Sequence, residues 1–408
     1  MERGIENVLA LEGGYNRWVD EQRPTDVKPV VTKGCLECHR VATPKAVKQW
    51  EASRHSQRDV SCTVCHGEGH LSEEDVHLAE PVTPDRCIQC HTTQVTPFEK
   101  GRHARAWDVA QAVESGHGRP VKDRAAACGP CHGVGFKKNP GKTQPEPWQR
   151  GWEAAPCTAC HGEHRFDLDQ ARQPETCKAC HQGPGQPQWD MVADSPHGGA
   201  PSDTGRGKTR DAGSYPTCQT CHMPEGDHLF RTAWGYWGLD PSGERTPDRR
   251  LLKALGFLDE AGAWTAQGKR LLDLGCFRSP TGAFRKDRQR MIAVCTGCHA
   301  EGHGMEALAQ GDRALRDANQ RMARALEAAE QQGITGPVLV PTGGEGPIQK
   351  RLQEMFFHDR MNRFKGSFHL SPRYSEELGK ERMESGVSEF NLSDLPRHLR
   401  NRSARRNQ

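Results

Sequence analysis

The material of an ordinary protein interior is scarce in this sequence. Only 34% of its 408 residues are hydrophobic, 27 are proline, and the mean hydropathy is -0.83. A chain of this length normally builds a large aliphatic core, and this composition is short of one. No stretch approaches the roughly 20 consecutive apolar residues of a membrane-spanning helix. Charge of one sign is lacking too: 56 Lys and Arg stand against 53 Asp and Glu, a net +3. That balance is too even to point to nucleic acid as a partner. The first residues, MERGIENVLALEGGYNRW, have neither the basic n-region nor the apolar h-region of an export signal.

Cysteine and histidine are abundant instead, with 17 and 20 residues. Sixteen cysteines form C-x-x-C pairs: Cys35/Cys38, Cys62/Cys65, Cys87/Cys90, Cys128/Cys131, Cys157/Cys160, Cys177/Cys180, Cys218/Cys221 and Cys295/Cys298. A histidine follows each pair directly: His39, His66, His91, His132, His161, His181, His222 and His299. Chance would produce well under one such motif at this composition. CxxCH is the attachment signal of c-type haem. The two thiols form thioethers to the porphyrin edge, and the adjacent imidazole binds the iron. Zinc sites normally need a second ligand pair at a defined distance, whereas these motifs repeat singly, each with its own histidine. Eight covalent haems are therefore expected, one per motif. Cys276 is left over and is expected to be an inert buried thiol.

Covalent haem attachment requires reduced thiols and export machinery. A periplasmic or otherwise extracytoplasmic location is expected, with the export signal trimmed away or the frame a fragment. The macrocycles can supply the apolar surface that the side chains lack. The fold class expected is mainly α: a multihaem cytochrome c wrapped around eight haems, with long C-terminal helices and little or no β-sheet. Residues 1–30 form an N-terminal extension, 31–304 the octahaem-binding domain, 305–392 a C-terminal helical domain and 393–408 a basic, disordered tail. Between the seventh and eighth motifs, RRLLKALGFLDEAGAWTAQGKRLLDLG predicts short helices broken at glycines. Residues 305–332 predict one long amphipathic helix, with Leu308, Leu315 and Met322 seven apart and Gly333 as the stop. A second helix is predicted from Ile348, with Leu352, Met355 and Phe356 on one face, and a third from near Ser375.

Twelve histidines lie outside the motifs: His55, His70, His77, His103, His117, His164, His197, His228, His303, His358, His369 and His398. An electron-carrying haem usually takes two axial ligands. His55, His164, His197 and His228 each lie close to a motif and are candidates, as is one of His70 or His77; His103 and His369 complete a set of seven. Seven distal ligands for eight irons leave one iron open to a small substrate. His117, eleven residues before Cys128, is the residue that would close the fourth iron.

The order of the motifs, the wide gap before the eighth, and the C-terminal helices resemble the octahaem cytochromes of the hydroxylamine oxidoreductase type. The resemblance covers roughly residues 35–390 and is carried by CTACHGEHRF, RQPETCKACH, DSPHGG, PTCQTCHMPEGDH and the helix after CTGCH. It implies that the fourth motif holds the catalytic haem, with Cys128 and Cys131 on the ring and His132 as the single axial histidine. The other seven haems would be bis-histidine conductors. A small nitrogen compound as substrate, a redox partner protein or quinone-linked cytochrome, and a homotrimer with the C-terminal helices at its interface are implied as well. Leu308, Leu315 and Met322 would then face other helices, unless the stripe packs on the chain's own haem domain.

The family's oxidases carry a tyrosine that bonds covalently to the catalytic haem of a neighbouring subunit. In HLSPRYSEELG the matching residues are His369 as haem ligand and Tyr374 as that tyrosine; the other reading of Tyr374 is a packing residue at a helix start. The chain departs from the family where the oxidases have an aspartate–histidine pair over the open iron. In CHQGPGQPQWD those positions are Gly185 and Gln186. Neither titrates near neutral pH, although Gln186 can donate a hydrogen bond to a bound oxygen. An insertion, KKNPGKTQPEPWQRGWEAAP, lies between the fourth and fifth motifs. Three functions stay open at this point: hydroxylamine oxidation, nitrite or hydroxylamine reduction, and pure electron transfer with no catalytic haem. The haem count is checked directly: intact mass is expected to exceed the 45.3 kDa polypeptide by eight haems, and a smaller increment contradicts one haem per motif.

Overall fold

A computed structural model describes residues 32–80, 82–114, 131–132, 157–183, 185–198, 215–230, 232, 234–242, 246–277 and 282–392. Among these residues helices dominate, and extended pairing is limited to one isolated bridge between Leu258 and Trp264. No described helix is long and apolar enough to cross a membrane. The chain divides into two compact units. One holds Met1–Trp107, Lys122–Thr176 and Gly226–Phe230; the other holds Asp108–Val121, Cys177–Glu225 and Arg231–Gln408.

The first unit consists of short helices. α1 (Thr32–Ala42) and α2 (Pro44–Glu51) open it, α2 with proline at its first turn, where the missing N–H has no helical partner to lose. One- and two-turn helices follow at Cys62–His66, Pro84–Cys87, Thr92–Lys100, Thr158–His161 and Leu168–Arg172. Few apolar side chains are buried here: Val47, Val95, Ala104 and Trp107 among the described residues. Val41 and Leu71 are 84% and 82% exposed. Side chains alone do not give this unit a core, in keeping with the composition.

The second unit has a core of its own. It is organised by α3 (Thr246–Ala254), α4 (Gly282–Thr296) and α5 (His303–Gln331), followed by α6 (Pro347–Glu354), α7 (Met361–Phe368) and α8 (Arg382–Leu392). α5 packs against α3, α4, α7 and α8. Its buried stripe repeats every three or four residues, through Leu308, Gly311, Leu315, Ala318, Met322, Ala325 and Ala329. A Cβ on Gly311 would lie 2.3 Å from the Phe368 ring, so only glycine admits that ring. The predicted helix over 305–332 and its stop are observed. Gly333 takes φ +80° while the N–H groups of Gly333 and Ile334 bond Glu330 O and Ala329 O. This is a Schellman cap, with Ile334 packed on the core. α3 ends the same way at Gly256, with buried Phe257 as its plug. The helix Ala266–Asp273 also ends so, and there the plug is the spare cysteine, Cys276, fully buried in the core.

The stripe of Leu308, Leu315 and Met322 is buried within the chain, at 8%, 1% and 0% exposure. Leu308 and Leu315 join Trp234, Met361 and Phe364, and Met322 joins the larger cluster of Leu251, Leu252 and Phe356. Their apolar surface is consumed within the chain and carries no argument for a subunit interface.

Two stretches of π-helix interrupt the C-terminal run, Met355–Arg360 and Arg373–Glu381. The second packs on α7 through glycines on both sides: a Cβ on Gly366 would lie 2.7 Å from Ser375 N, and one on Gly379 2.6 Å from Arg363 N. The first π segment delivers Arg360 into the interior. Its Nε donates to Asn319 Oδ1 (2.8 Å) and its Nη2 to Trp237 O (2.7 Å), and Asn319 Nδ2 donates to Asp248 Oδ1 (2.7 Å). Burial pulls the Arg360 guanidinium down to about 10, with Asp248 opposing. Asn319→Ala leaves a buried guanidinium N–H and a buried carboxylate oxygen unpaired at once. It is expected to lower unfolding free energy by roughly 3 kcal/mol, seen in denaturant titration, with haem content unchanged.

Candidate haem sites

Each attachment motif needs its two thiols and its imidazole on one side of the chain. A single helical turn does this, because residues three and four apart share a face. The backbone makes that turn: the N–H of His91, His161, His181 and His299 bonds the carbonyl of the first cysteine of its own motif at 2.8, 2.9, 2.9 and 2.9 Å. Local capping supports it at the seventh motif, where Thr217 and Thr220 form a capping box.

The thiols nominated for the porphyrin edges are not placed alike. The first cysteine of each described motif is half-buried, as are Cys65, Cys160, Cys180 and Cys221, whereas Cys38, Cys90, Cys131 and Cys298 are exposed. The turn is not uniformly helical either. Cys38 lies within α1, but Cys90, Cys180 and Cys298 lie in turns just past the ends of the helices Pro84–Cys87, Glu175–Lys178 and Gly282–Thr296. The second cysteine is tied back as well, the N–H of Cys90, Cys160, Cys180 and Cys298 bonding the carbonyl of the first cysteine at 3.1–3.2 Å, so the burial of its sulfur is set by the surrounding packing and not by the turn.

Two imidazoles binding one metal from opposite sides, with metal–nitrogen bonds of roughly 2 Å and ring radii of about 1 Å, stand with centroids roughly 6 Å apart. The structure places six motif histidines in that relation to a non-motif histidine. The pairs are His39–His70 at 5.9 Å, His66–His164 at 6.1 Å, His91–His55 at 6.0 Å, His161–His228 at 6.2 Å, His222–His369 at 6.3 Å and His299–His197 at 6.0 Å. All six non-motif members were nominated from sequence. His70 rather than His77 meets His39, and His77 is exposed. Among the described residues no group of three or more His, Cys, Asp or Glu is gathered as a zinc site would require. A ring nitrogen of His164, Nδ1, is buried without a hydrogen-bond partner. Imidazole pairs, paired thiols and that orphaned nitrogen fit haem c.

Neighbouring groups fix the imidazoles. The Nδ1–H of His369 donates to Lys365 O (2.8 Å) and that of His228 to Gly226 O (2.7 Å), leaving Nε2 of each available. His70 Nδ1 lies 2.9 Å from Asp75 Oδ1. The Ser72 N–H, with His70 and Leu71 adding, holds the Asp75 carboxyl down at about 2. Burial first, and the facing imidazole second, lowers the pKa of His55, His66 and His197. Burial takes His369 down to about 4, with His222 adding. The lowering at His55, His66, His197 and His369 favours the neutral ring, the form that binds metal.

The remaining nominated residues are placed less symmetrically. His132 is half-buried with Nδ1 3.3 Å from Ala106 O; Cys128 and His117 lie outside the described residues. His103 packs edge-on against Phe230, centroids 4.0 Å apart. His181 Nδ1 is 3.4 Å from Gln188 Oε1. His303 was not nominated, yet it stacks on His299 at 4.1 Å, too close for a metal between the rings. Gln186 accepts from Gln188 Nε2 (3.0 Å) and Lys365 Nζ (3.4 Å) and is hydrogen-bonded to the Tyr236 phenol. Lys365 is a residue the sequence reading missed. It lies 179 positions from Gln186, and burial pulls its ammonium down to about 8. No local signal pointed to it; only the packing of α7 brings it there.

Tyr374 follows His369 through Leu370, whose φ of 57° turns the chain sharply. Ser371 Oγ, which donates to Asp194 Oδ2 at 2.6 Å, fixes the turn and accepts from the Tyr374 N–H at 3.3 Å. Tyr374 lines a cavity of about 980 Å³ together with Asp190, Lys350, His358, Asn362 and Arg382. Burial and the nearby carboxylate of Asp190 raise its phenol.

Paired imidazoles beside paired thiols on a helical, strand-poor chain define a multihaem c-type cytochrome. Comparison with known proteins agrees. A family described as "Cytochrome c554 and c-prime" matches residues 15–67 and 86–162. A probable nitrite reductase-hydroxylamine oxidoreductase fusion protein of Kuenenia stuttgartiensis is 27% identical over 317 residues, covering 65% of this chain and 34% of that protein. The multiheme cytochrome MtrA of Shewanella baltica (strain OS185) is 25% identical over 151 residues, 36% of this chain and 31% of that one. The chain thus spans about a third of the length of these relatives. Two solved structures share the fold at 18% identity. One is a hypothetical multiheme protein, TM-score 0.61, covering 92% of this chain and 96% of that one. The other is the reducing HAO-like protein complex of Kuenenia stuttgartiensis, TM-score 0.60, covering 99% and 89%. Within the class, the chain is similar in sequence to a probable nitrite reductase-hydroxylamine oxidoreductase fusion protein and shares the fold of an HAO-like complex.

The choice between His70 and His77 is testable in the holoprotein. His70→Gly is expected to add a high-spin ferric signal of about one haem to the electron paramagnetic resonance spectrum, and His77→Gly is expected to add none.

Proposed function

We propose that this chain carries eight haems and acts as an extracytoplasmic redox enzyme on a small nitrogen compound. The leading reaction is hydroxylamine oxidation at the haem of the fourth motif. One observation carries this reading: six nominated histidines face six motif histidines at 5.9–6.3 Å. The two other motif histidines, His132 and His181, have one nominated histidine between them, His103. A single further distal ligand serves one of those irons and leaves the other open. The family resemblance assigns the open one to His132.

Bound haem supplies electron transfer and, at an open iron, a Lewis acid. The chain supplies the rest. Cys128 and Cys131 would hold the fourth ring and His132 its iron. Gln186, tied to Gln188 and Lys365, orients bound substrate by hydrogen bonding. The six histidine pairs, with His103 as a seventh distal ligand, would hold seven haems whose chemistry is electron transfer to a redox partner protein or a quinone-linked cytochrome. The family further implies a homotrimer in which Tyr374 reaches the catalytic haem of a neighbour. In that arrangement the tyrosine would modify the ring and bias the site toward taking electrons from substrate.

A specific observation favours a second reading, nitrite or hydroxylamine reduction. Gly185 and Gln186 stand where the oxidases have an acid–base pair, and such a pair is typically worth 10²–10⁴ in rate. One spectroscopic series separates the readings. With an open fourth haem the resting protein has a high-spin ferric signal and binds cyanide; absence of both removes the enzyme reading and leaves an electron carrier. In the oxidase, ferrous protein shows a red-shifted extra band that Tyr374→Phe abolishes. An ordinary c-haem spectrum in both proteins, with cyanide binding intact, assigns the reductase.

A further inference from the structure

Two of the loops that carry non-motif histidines share a three-residue pattern, His164-Arg165-Phe166 and His228-Leu229-Phe230. In each loop the histidine faces one motif histidine, His66 or His161. The phenylalanine two residues on packs edge-on against a different non-motif histidine. Phe166 meets His55 at 4.9 Å and 77°, and Phe230 meets His103 at 4.0 Å and 85°. Edge-to-face is the preferred geometry of such rings, because the positive edge of one meets the negative face of the other. His55 is itself paired with His91. One short loop therefore touches the axial imidazoles of two different motifs.

The backbone of these loops is held in conformations that side-chain-bearing residues rarely adopt. His164, Phe166 and Phe230 have φ of 55°, 48° and 50°. Such residues persist only where the surroundings over-determine them. The surroundings here are specific. The Asp167 N–H bonds His161 O at 2.8 Å, closing the first loop onto the motif before it. In the second, the Asp227 carboxylate accepts from the Leu229 N–H at 2.9 Å. The Leu229 carbonyl also sits so close to Gly101 that a Cβ there would be 2.8 Å away, two residues before His103. Both phenylalanines are fixed in place from the backbone outward.

We propose that Phe166 and Phe230 are positioning residues, each setting the imidazole plane of a histidine that binds a haem other than the one its own loop binds. The proposal rests on the haem-ligand reading above. Turning the His55 ring away from its 77° angle to Phe166, with centroids only 4.9 Å apart, would press the two rings together, so the phenylalanine selects one plane; Phe230 does the same for His103. The plane of an axial imidazole sets the anisotropy of a low-spin iron and contributes to its potential, as outer groups that orient ligands generally do. Each H-x-F loop thereby fixes two irons in one mechanical unit.

The test uses the holoprotein and electron paramagnetic resonance, with His55→Met as reference. His55→Met identifies the low-spin signal of the haem that His55 serves. Phe166→Leu is expected to shift the g-values of that same signal and of no other, and to move one midpoint potential in a redox titration, with full haem content. Phe166→Tyr, which keeps the ring edge, is expected to restore both. If His55→Met removes a signal that Phe166→Leu leaves in place, the positioning role is wrong and the ligand reading stands. If His55→Met changes nothing, the ligand reading of His55 is wrong and the proposal falls with it. Should Phe166→Leu lose haem, Phe230→Leu against a His103→Met reference asks the same question at the second loop.

Discussion

The constraint on which the rest depends is a separation of about 6 Å between two imidazoles. A motif histidine is fixed by its own turn, but its counterpart comes from a distant part of the chain or from the next loop. On the proposed ligand assignment, each pair is a cross-link with an iron at its middle. Six such pairs tie segments as far apart in sequence as 222 and 369. Cross-links of this kind remove the need for a continuous side-chain core, since each ordered pair restrains the unfolded chain and the macrocycle between them is itself apolar.

The two units differ accordingly. The first buries few apolar side chains among its described residues and leaves valines and leucines at its surface. The second has Trp237, Leu251, Met322, Phe356 and their neighbours in one cluster, organised by a 29-residue helix. Within that core Arg360 bonds Asn319, which in turn bonds Asp248, and helix ends are closed by glycine caps with apolar plugs. A conventional helical bundle thus coexists with segments that depend on their cofactors.

The site chemistry turns on the loop after the sixth motif. Gly185 and Gln186 have no titratable group, yet α7 brings Lys365 to the same place, where burial lowers its pKa. Lys365, which contacts the loop, and His369, the proposed haem ligand facing His222, lie four apart on the same turn, and His369 Nδ1 bonds Lys365 O.

The sequence by itself determined the class, a multihaem c-type cytochrome, and nominated its attachment residues and axial ligands. Covalent attachment is a local act: two thiols and an imidazole within five residues, on one turn, need no tertiary information. How far each thiol is buried is not local, and Cys38 and Cys298 stand exposed where Cys180 is half-buried. Helix periodicity and glycine stops are local, so α5 and its end at Gly333 were legible. Local proximity to a motif was enough to nominate His55, His164, His197 and His228. It did not distinguish His70 from His77, because both lie within one short loop and only the path of the backbone decides which ring reaches His39. The destination of an apolar stripe was equally undetermined. Leu308, Leu315 and Met322 predict a buried face, but whether a neighbour or the chain itself buries it depends on long-range packing, and here the chain does. Lys365 beside Gln186, and Phe230 against His103, are contacts across 179 and 127 positions. No spacing rule encodes them; they exist only once the helices have folded onto one another.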